Sequence, residues 1–174
     1  MMALNFFGIE IEYSPAKEWE IYRKIGPAKD MTLSTPSIGR FLVESGFDVE
    51  LWHKDPALIT QKSFSSEEEY SRFRRVLKRY LIDEEKAKGA GLKVRLRSFF
   101  VHDVLREVGD DSLSIIRVDY NGIGHFQIIY GYSDDRVNIA CPIEGLLTSK
   151  IEELNLSSYF ESGRSCLIVK NKAN

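Results

Sequence analysis

Apolar residues along this chain follow two rhythms, and the change between them divides it. In roughly the first hundred residues they mostly recur every three or four positions, the period of a helix with one buried face. Met1 to Phe7 reads as the end of a helix, with Gly8 as its stop. Ser14-Pro15 opens a second helix, because Ser caps well and Pro suits the first helical position. Trp19, Tyr22 and Arg23 lie along it, and Gly26-Pro27 ends it. Thr35-Pro36 repeats the start signal, Ile38, Phe41 and Leu42 share one face, and Gly46 closes the third helix. Phe47 to Trp52 alternates apolar and acidic residues, as a half-buried strand does. Ser66 to Lys88 is the longest helical pattern, with Ser66 and Glu69 spaced as a capping box.

Val94 to Phe99 reads as a short strand and Val101 to Val108 as a short helix ending near Gly109. The period then shortens to two. Leu113–Val118, His125–Tyr130, Arg136–Ala140 and Ser165–Lys170 are strand patterns, with Asp134-Asp135 as a tight hairpin connection. Ile151 to Leu156 is a short helix before the last strand. Helices first and strands later predict an α+β domain, with N-terminal helices packed on a C-terminal antiparallel sheet.

The chain has 174 residues, which suits one domain over 1–174. Hydrophobic residues at 43% and charged residues at 29% exclude disordered, collagen-like and coiled-coil readings. The net charge of −2 gives no global basic field for nucleic acid. No apolar run approaches the roughly 20 residues of a membrane helix, so no membrane is expected. Met1 to Phe7 lacks a basic lead and runs into Glu10 and Glu12, unlike a signal peptide. The two cysteines, Cys141 and Cys166, make no disulfide framework and no metal-ligand spacing. A reduced, cytoplasmic protein without cofactor or metal is the expectation; a Cys141–Cys166 disulfide would need an oxidising compartment.

Local charge is less even. Arg72, Arg74, Arg75, Lys78 and Arg79 fall within the long helix, among Tyr70, Phe73, Val76, Leu77, Tyr80 and Leu81. One reading is a solvated face balanced by Glu67–Glu69 and Asp83–Glu85; the other is nucleic-acid binding through 72–79. The balance of charge favours the solvated face.

Candidate chemistry concentrates between Gly124 and Gly145. Gly124 places His125 at the start of an apolar strand, and the hairpin returns the next strand to Cys141-Pro142. His125 and Cys141 are therefore expected to meet at the open end of the hairpin, as a base and its orienting partner or as a structural pair. Gly124 and Asn121 flank His125 as candidate substrate-binding positions, and Asp119 could contact the imidazole from further out. His53 follows a strand and is expected at the surface, and His102 is expected to be solvated. Asp110-Asp111 and Asp134-Asp135 read as turns. Asn121 to Gly124 is Gly-rich but precedes a strand, unlike a phosphate loop.

The stretch Gly124-His125-Phe126-Gln127-Ile128-Ile129-Tyr130-Gly131-Tyr132-Ser133, followed by Val137-Asn138-Ile139-Ala140-Cys141-Pro142, resembles the His half of the peptidase C-thirty-nine-like family, papain-like cysteine peptidases. That half carries a Gly-His-Phe start, a Gly-Tyr turn and a closing Asp-Pro. The resemblance implies His125 as general base and puts Cys141 where the orienting Asp belongs. Further pieces match a subgroup: Met2-Ala3-Leu4, Glu18-Trp19-Glu20-Ile21-Tyr22-Arg23 and Gly46-Phe47-Asp48-Val49-Glu50, with the helix at 66–88 as its middle insertion. The likeness thus spans nearly the whole chain and implies a papain-like fold.

In this family a Cys in a Cys-Gly-Pro-Ala segment attacks the amide, its thiol activated at a helix start beside the His, and a Gln stabilises the oxyanion. Ile25-Gly26-Pro27-Ala28 repeats three of those four residues, but the turn-rich Lys29 to Pro36 follows instead of an apolar helix. The alignment instead makes Met1 to Leu4 the back end of the nucleophile helix and places the Cys and the Gln upstream of residue 1. The resemblance then implies a degenerate domain that takes a peptide or protein ligand in the old cleft. One alternative is an active peptidase or amidase whose Cys segment precedes the chain. Another makes Cys141 itself the nucleophile, although it would stand on the far side of the imidazole from substrate.

Overall fold

The computed structural model describes residues 2–9, 14–26, 33–55, 65–120, 123–156 and 165–172. Three short helices come first: α1 (Met2–Phe6), α2 (Pro15–Ile25) and α3 (Thr35–Glu44). Strand β1 (Asp48–His53), helix α4 (Glu67–Gly89), strand β2 (Lys93–Leu96) and helix α5 (Val101–Leu105) follow. The remainder is β3 (Ser112–Tyr120), β4 (Ile123–Ser133), β5 (Arg136–Cys141), β6 (Gly145–Lys150), α6 (Ile151–Leu156) and β7 (Ser165–Lys170).

The helix starts have the expected chemistry with small shifts. Ser14 accepts from the Lys17 amide at 3.2 Å, and Gly26 ends α2 in the left-handed region at φ 78°. The cap of α3 is Ser34 rather than Thr35, which lies inside the helix. Ser66 caps α4 through the Glu69 amide at 3.1 Å. The Glu69 carboxylate turns back to Ser65 instead of Ser66, so the box closes one residue early.

The strands form one sheet in the order β2-β1-β7-β3-β4-β5-β6. The α+β expectation holds, and the sheet also recruits β1 and β2 from the helical half. Those two pair in parallel, as a strand pair joined by the crossover helix α4 must, while every other pairing is antiparallel. Strand β6 had no periodic apolar signal, because as an edge strand it buries little; its sequence is GLLTSK. The β4–β5 hairpin turns at Asp134-Asp135 with Asp134 at φ 53°, as its sequence suggested.

Strand alternation builds a core on each face. On one face Trp52, Ile116, Ile129, Ile139, Cys166 and Ile168 pack with Val101, Val104 and Leu105 of α5. On the other, Leu51, Leu113, Ile115 and Leu167 pack with Ala3 and Leu4 of α1 and Leu42 of α3. Gly39 lets α3 press onto this face, since a Cβ there would stand 3.0 Å from both Leu167 Cδ2 and Leu92 Cδ1. Among the described residues, no helix is long and apolar enough to cross a membrane.

Candidate functional site

His125 and Cys141 do meet. The β4–β5 register pairs Ile128 with Ala140. Continuing it sets Gln127 opposite Cys141 and leaves His125 one diagonal step beyond. The Cys141 thiol sulfur lies 3.8 Å from His125 Nε2. Gln127 Nε2 approaches the same ring nitrogen at 3.5 Å. Gln127 was not singled out from sequence, although its i+2 spacing from His125 puts it on the same face of the strand. His125 is half-buried, whereas Cys141 is only 1% exposed. A thiol so covered can hold the imidazole. It lacks the fixed negative charge with which a carboxylate steadies an imidazolium.

His125, Cys141, Ile143 and Glu144 line a crevice. It leaves no room for even one water molecule, far below the roughly 300–1,000 Å³ usual for small-molecule sites. A second depression lies at the hairpin's other end, lined by Phe6, Val108, Gly109, Asp110 and Tyr130–Tyr132. Gly124 pairs with Asp119 at the start of β4, next to His125. Asn121 lies outside the described residues, as do Pro27 and Ala28.

The sheet faces bear on the nucleophile. Ile116 pairs with Gln127, so Gln127 and His125 share the α5 face. Phe126, Ile128 and Tyr130 point the other way and pack in the cluster that holds Ala3 and Leu4. Helix α1, which the resemblance makes the back of the nucleophile helix, therefore packs on the face of β4 opposite His125.

His53 departs from expectation: it is not at the surface but 3% exposed. The last residue of β1 lies beneath the buried Glu84 and the Tyr80 ring of α4, so it is roofed over. His53 Nε2 stands 3.1 Å from Glu84 Oε2, and Nδ1 lies 2.9 Å from the Lys54 carbonyl. The other Glu84 oxygen accepts from Lys88 at 2.6 Å, and Tyr80 packs edge-on to the imidazole with ring centroids 5.6 Å apart. Burial, reinforced by the negative Glu84, pushes the Tyr80 hydroxyl pKa above its ordinary 10.0. Nearby, Thr35 Oγ1 bonds Ser165 Oγ at 2.9 Å, and Ser34 Oγ donates to Asp83 at 2.8 Å. Sequence reasoning missed this cluster because its members come from β1, α3, α4 and β7; the Ser34 cap was its one local sign.

The remaining candidates are quiet. His102 is exposed, as expected. Both cysteines are free, and burial drives the Cys166 thiol pKa well above its ordinary 9.0. Among the described residues no group of His, Cys, Asp and Glu is placed to hold a metal. Arg72, Arg74, Arg75 and Lys78 project from the exposed side of α4, while Arg79 pairs with Asp83 at 3.1 Å. Tyr70 and Phe73 of that helix are half-buried, so no fully exposed aromatic interleaves with the basic residues.

Superposed on solved structures, the chain is similar to the crystal structure of the peptidase domain of Streptococcus ComA, described as a bi-functional ABC transporter involved in a quorum sensing pathway. The two share 10% identity over 98% of this chain and 85% of that chain, with a TM-score of 0.48. No family model and no curated protein matches the sequence.

Proposed function

We propose that this chain is a papain-like cysteine-peptidase-like domain that has lost hydrolysis and binds extended peptide over the His125–Cys141 crevice. The observation that carries this reading is the Cys141 sulfur 3.8 Å from His125 Nε2. The base is kept, but its partner is a covered thiol in the place where the resemblance expects Asp. Two further features support it. Helix α1 packs on the far face of β4 from His125. The crevice is also too small to enclose a compact substrate.

The test pairs turnover with binding. A mixed library of quenched fluorogenic peptides should show no turnover by the wild type. Cys141→Asp should not restore it, because Cys166, the other described thiol, is sealed in the core. Peptide binding should shift the His125 imidazole resonances in an NMR titration. Turnover that His125→Ala abolishes would overturn the loss of catalysis, and a library in which no peptide moves the imidazole would overturn the binding role.

Nucleic-acid binding through 72–79 is the weaker reading, because exposed basic residues without exposed aromatics are ordinary solvated helix surface. Retention on an RNA or DNA column that falls steeply with salt would reverse that ranking.

A further inference from the structure

Among the described residues the edge of the sheet beside the crevice is open, and its hydrogen-bonding pattern can be read. The Ile151 amide donates to the Asp135 carbonyl at 2.7 Å, which makes 135/151 a hydrogen-bonded pair of the β5–β6 ladder. Counting back in steps of two, Ser149, Leu147 and Gly145 also turn their backbone toward β5. Lys150, Thr148 and Leu146 must then turn theirs outward. The Lys150 amide bears this out, for it donates to the Glu153 carboxylate at 3.1 Å instead of to β5. That bond caps one end of the edge. Among the described residues, the N–H and C=O groups of Leu146 and Thr148 have no partner.

Edge strands are usually guarded by charge, proline or a bulge. Gly145 to Ser149 offers none of these. It presents Leu146, 73% exposed, on the sheet face away from His125, while Ile143, 66% exposed, stands at the crevice in the preceding turn. Lys150 stands at one end of the strand and Glu144 at the other, both exposed and without an ion pair among the described residues. Strand β6 begins at Gly145, directly opposite Cys141. A chain added outside β6 would lie two strand spacings from Cys141, roughly 10 Å or three extended residues.

We propose that the free edge of β6 is a peptide-docking site that takes an extended segment by strand addition, hydrogen-bonded to Leu146 and Thr148. The inference deepens the peptide-binding reading and rests on it. The segment carries an apolar residue beside Leu146, an acidic residue toward Lys150 and a basic residue toward Glu144. Backbone pairing supplies affinity, and those three positions supply selectivity. Continuity with the crevice favours a peptide over a second copy of the chain, since about four further residues span the three strand spacings to His125 on β4.

The experiment selects twelve-residue peptides from a displayed library and measures the recovered sequences with the wild type and two variants. Thr148→Pro removes the outward amide but no β5–β6 ladder bond, and Thr148→Ala removes the side chain, with its bond to Asn138, but keeps the amide. Thr148→Pro should weaken binding about tenfold, and Thr148→Ala by less than about twofold. Methylating alternate peptide amides should reduce affinity with a period of two, and Leu146 and Thr148 amides should shift in NMR spectra. Peptides that move His125 but ignore Thr148→Pro would overturn the edge site and leave the crevice reading intact. Peptides that need the Thr148 amide but leave His125 unmoved would keep the edge and overturn the crevice reading. A library that yields no peptide, with a wild-type dimer that Thr148→Pro dissociates, would give the edge to a second copy and overturn the proposal.

Discussion

Two histidines end up in opposite circumstances at one end of the same sheet. His125, at the start of β4, faces a thiol at 3.8 Å and a glutamine at 3.5 Å beside an open crevice. His53, at the end of β1, is held between a backbone carbonyl and a buried carboxylate, beneath a tyrosine ring. The first has few bonds and stays near solvent, and the second is tied into a network joining α3, α4 and the sheet. Residue type does not separate them, and neither does strand position. What separates them is whether a helix covers the strand end. Helix α4 covers β1, whereas the hairpin turn at 142–144 leaves the start of β4 open.

The contrast predicts unequal costs of mutation. Glu84→Ala should destabilise the protein by about 3 kcal/mol, since it strands His53 and Lys88 beside a missing partner. His125→Ala should cost less, about 1 kcal/mol, because the site is half-buried and the contacts to Cys141 and Gln127 are long. Urea unfolding midpoints would check both, and equal losses would erase the distinction between the two sites.

Alkaline pH should act through the buried Tyr80 and Cys166. The Tyr80 and Cys166 pKa values are raised by burial, from ordinary values of 10.0 and 9.0, so the folded state holds protons that the unfolded chain releases. Their contribution is complete below about pH 9 and falls above it, by up to about 1.4 kcal/mol per pH unit for each group. Unfolding curves from pH 8 to 11 should show the decline, and Tyr80→Phe and Cys166→Ala should each flatten it.

The smallest effect sharpens the comparison at the edge of the network. Ser34→Ala removes the α3 cap and its bond to Asp83, and should cost about 1 kcal/mol. Thermal melts would show it, with no change in the His125 resonances. A shift at His125 would mean that the two histidine sites are coupled.

Most of the elements were legible from the chain because they rest on local chemistry. Ser14-Pro15, Ser66 and the Gly stops mark helix ends wherever the fold places them, and the Asp134-Asp135 turn sets the hairpin that joins His125 to Cys141. That pairing was readable because only a tight turn separates its members. Strand β6 was not readable, since an edge strand facing water has no burial pattern to repeat. The open edge beyond Leu146 became visible only from the register of the finished sheet.

The sequence by itself determined the helix starts and stops, the α+β division and the meeting of His125 with Cys141, because periodicity, caps and turns act over a few residues. Only the tertiary structure decided that His53 is buried, that α1 lies across the sheet from His125 and that β6 ends the sheet. Each of those depends on which element covers which face. That choice is made by burial summed over residues far apart in the chain, and no local pattern carries it.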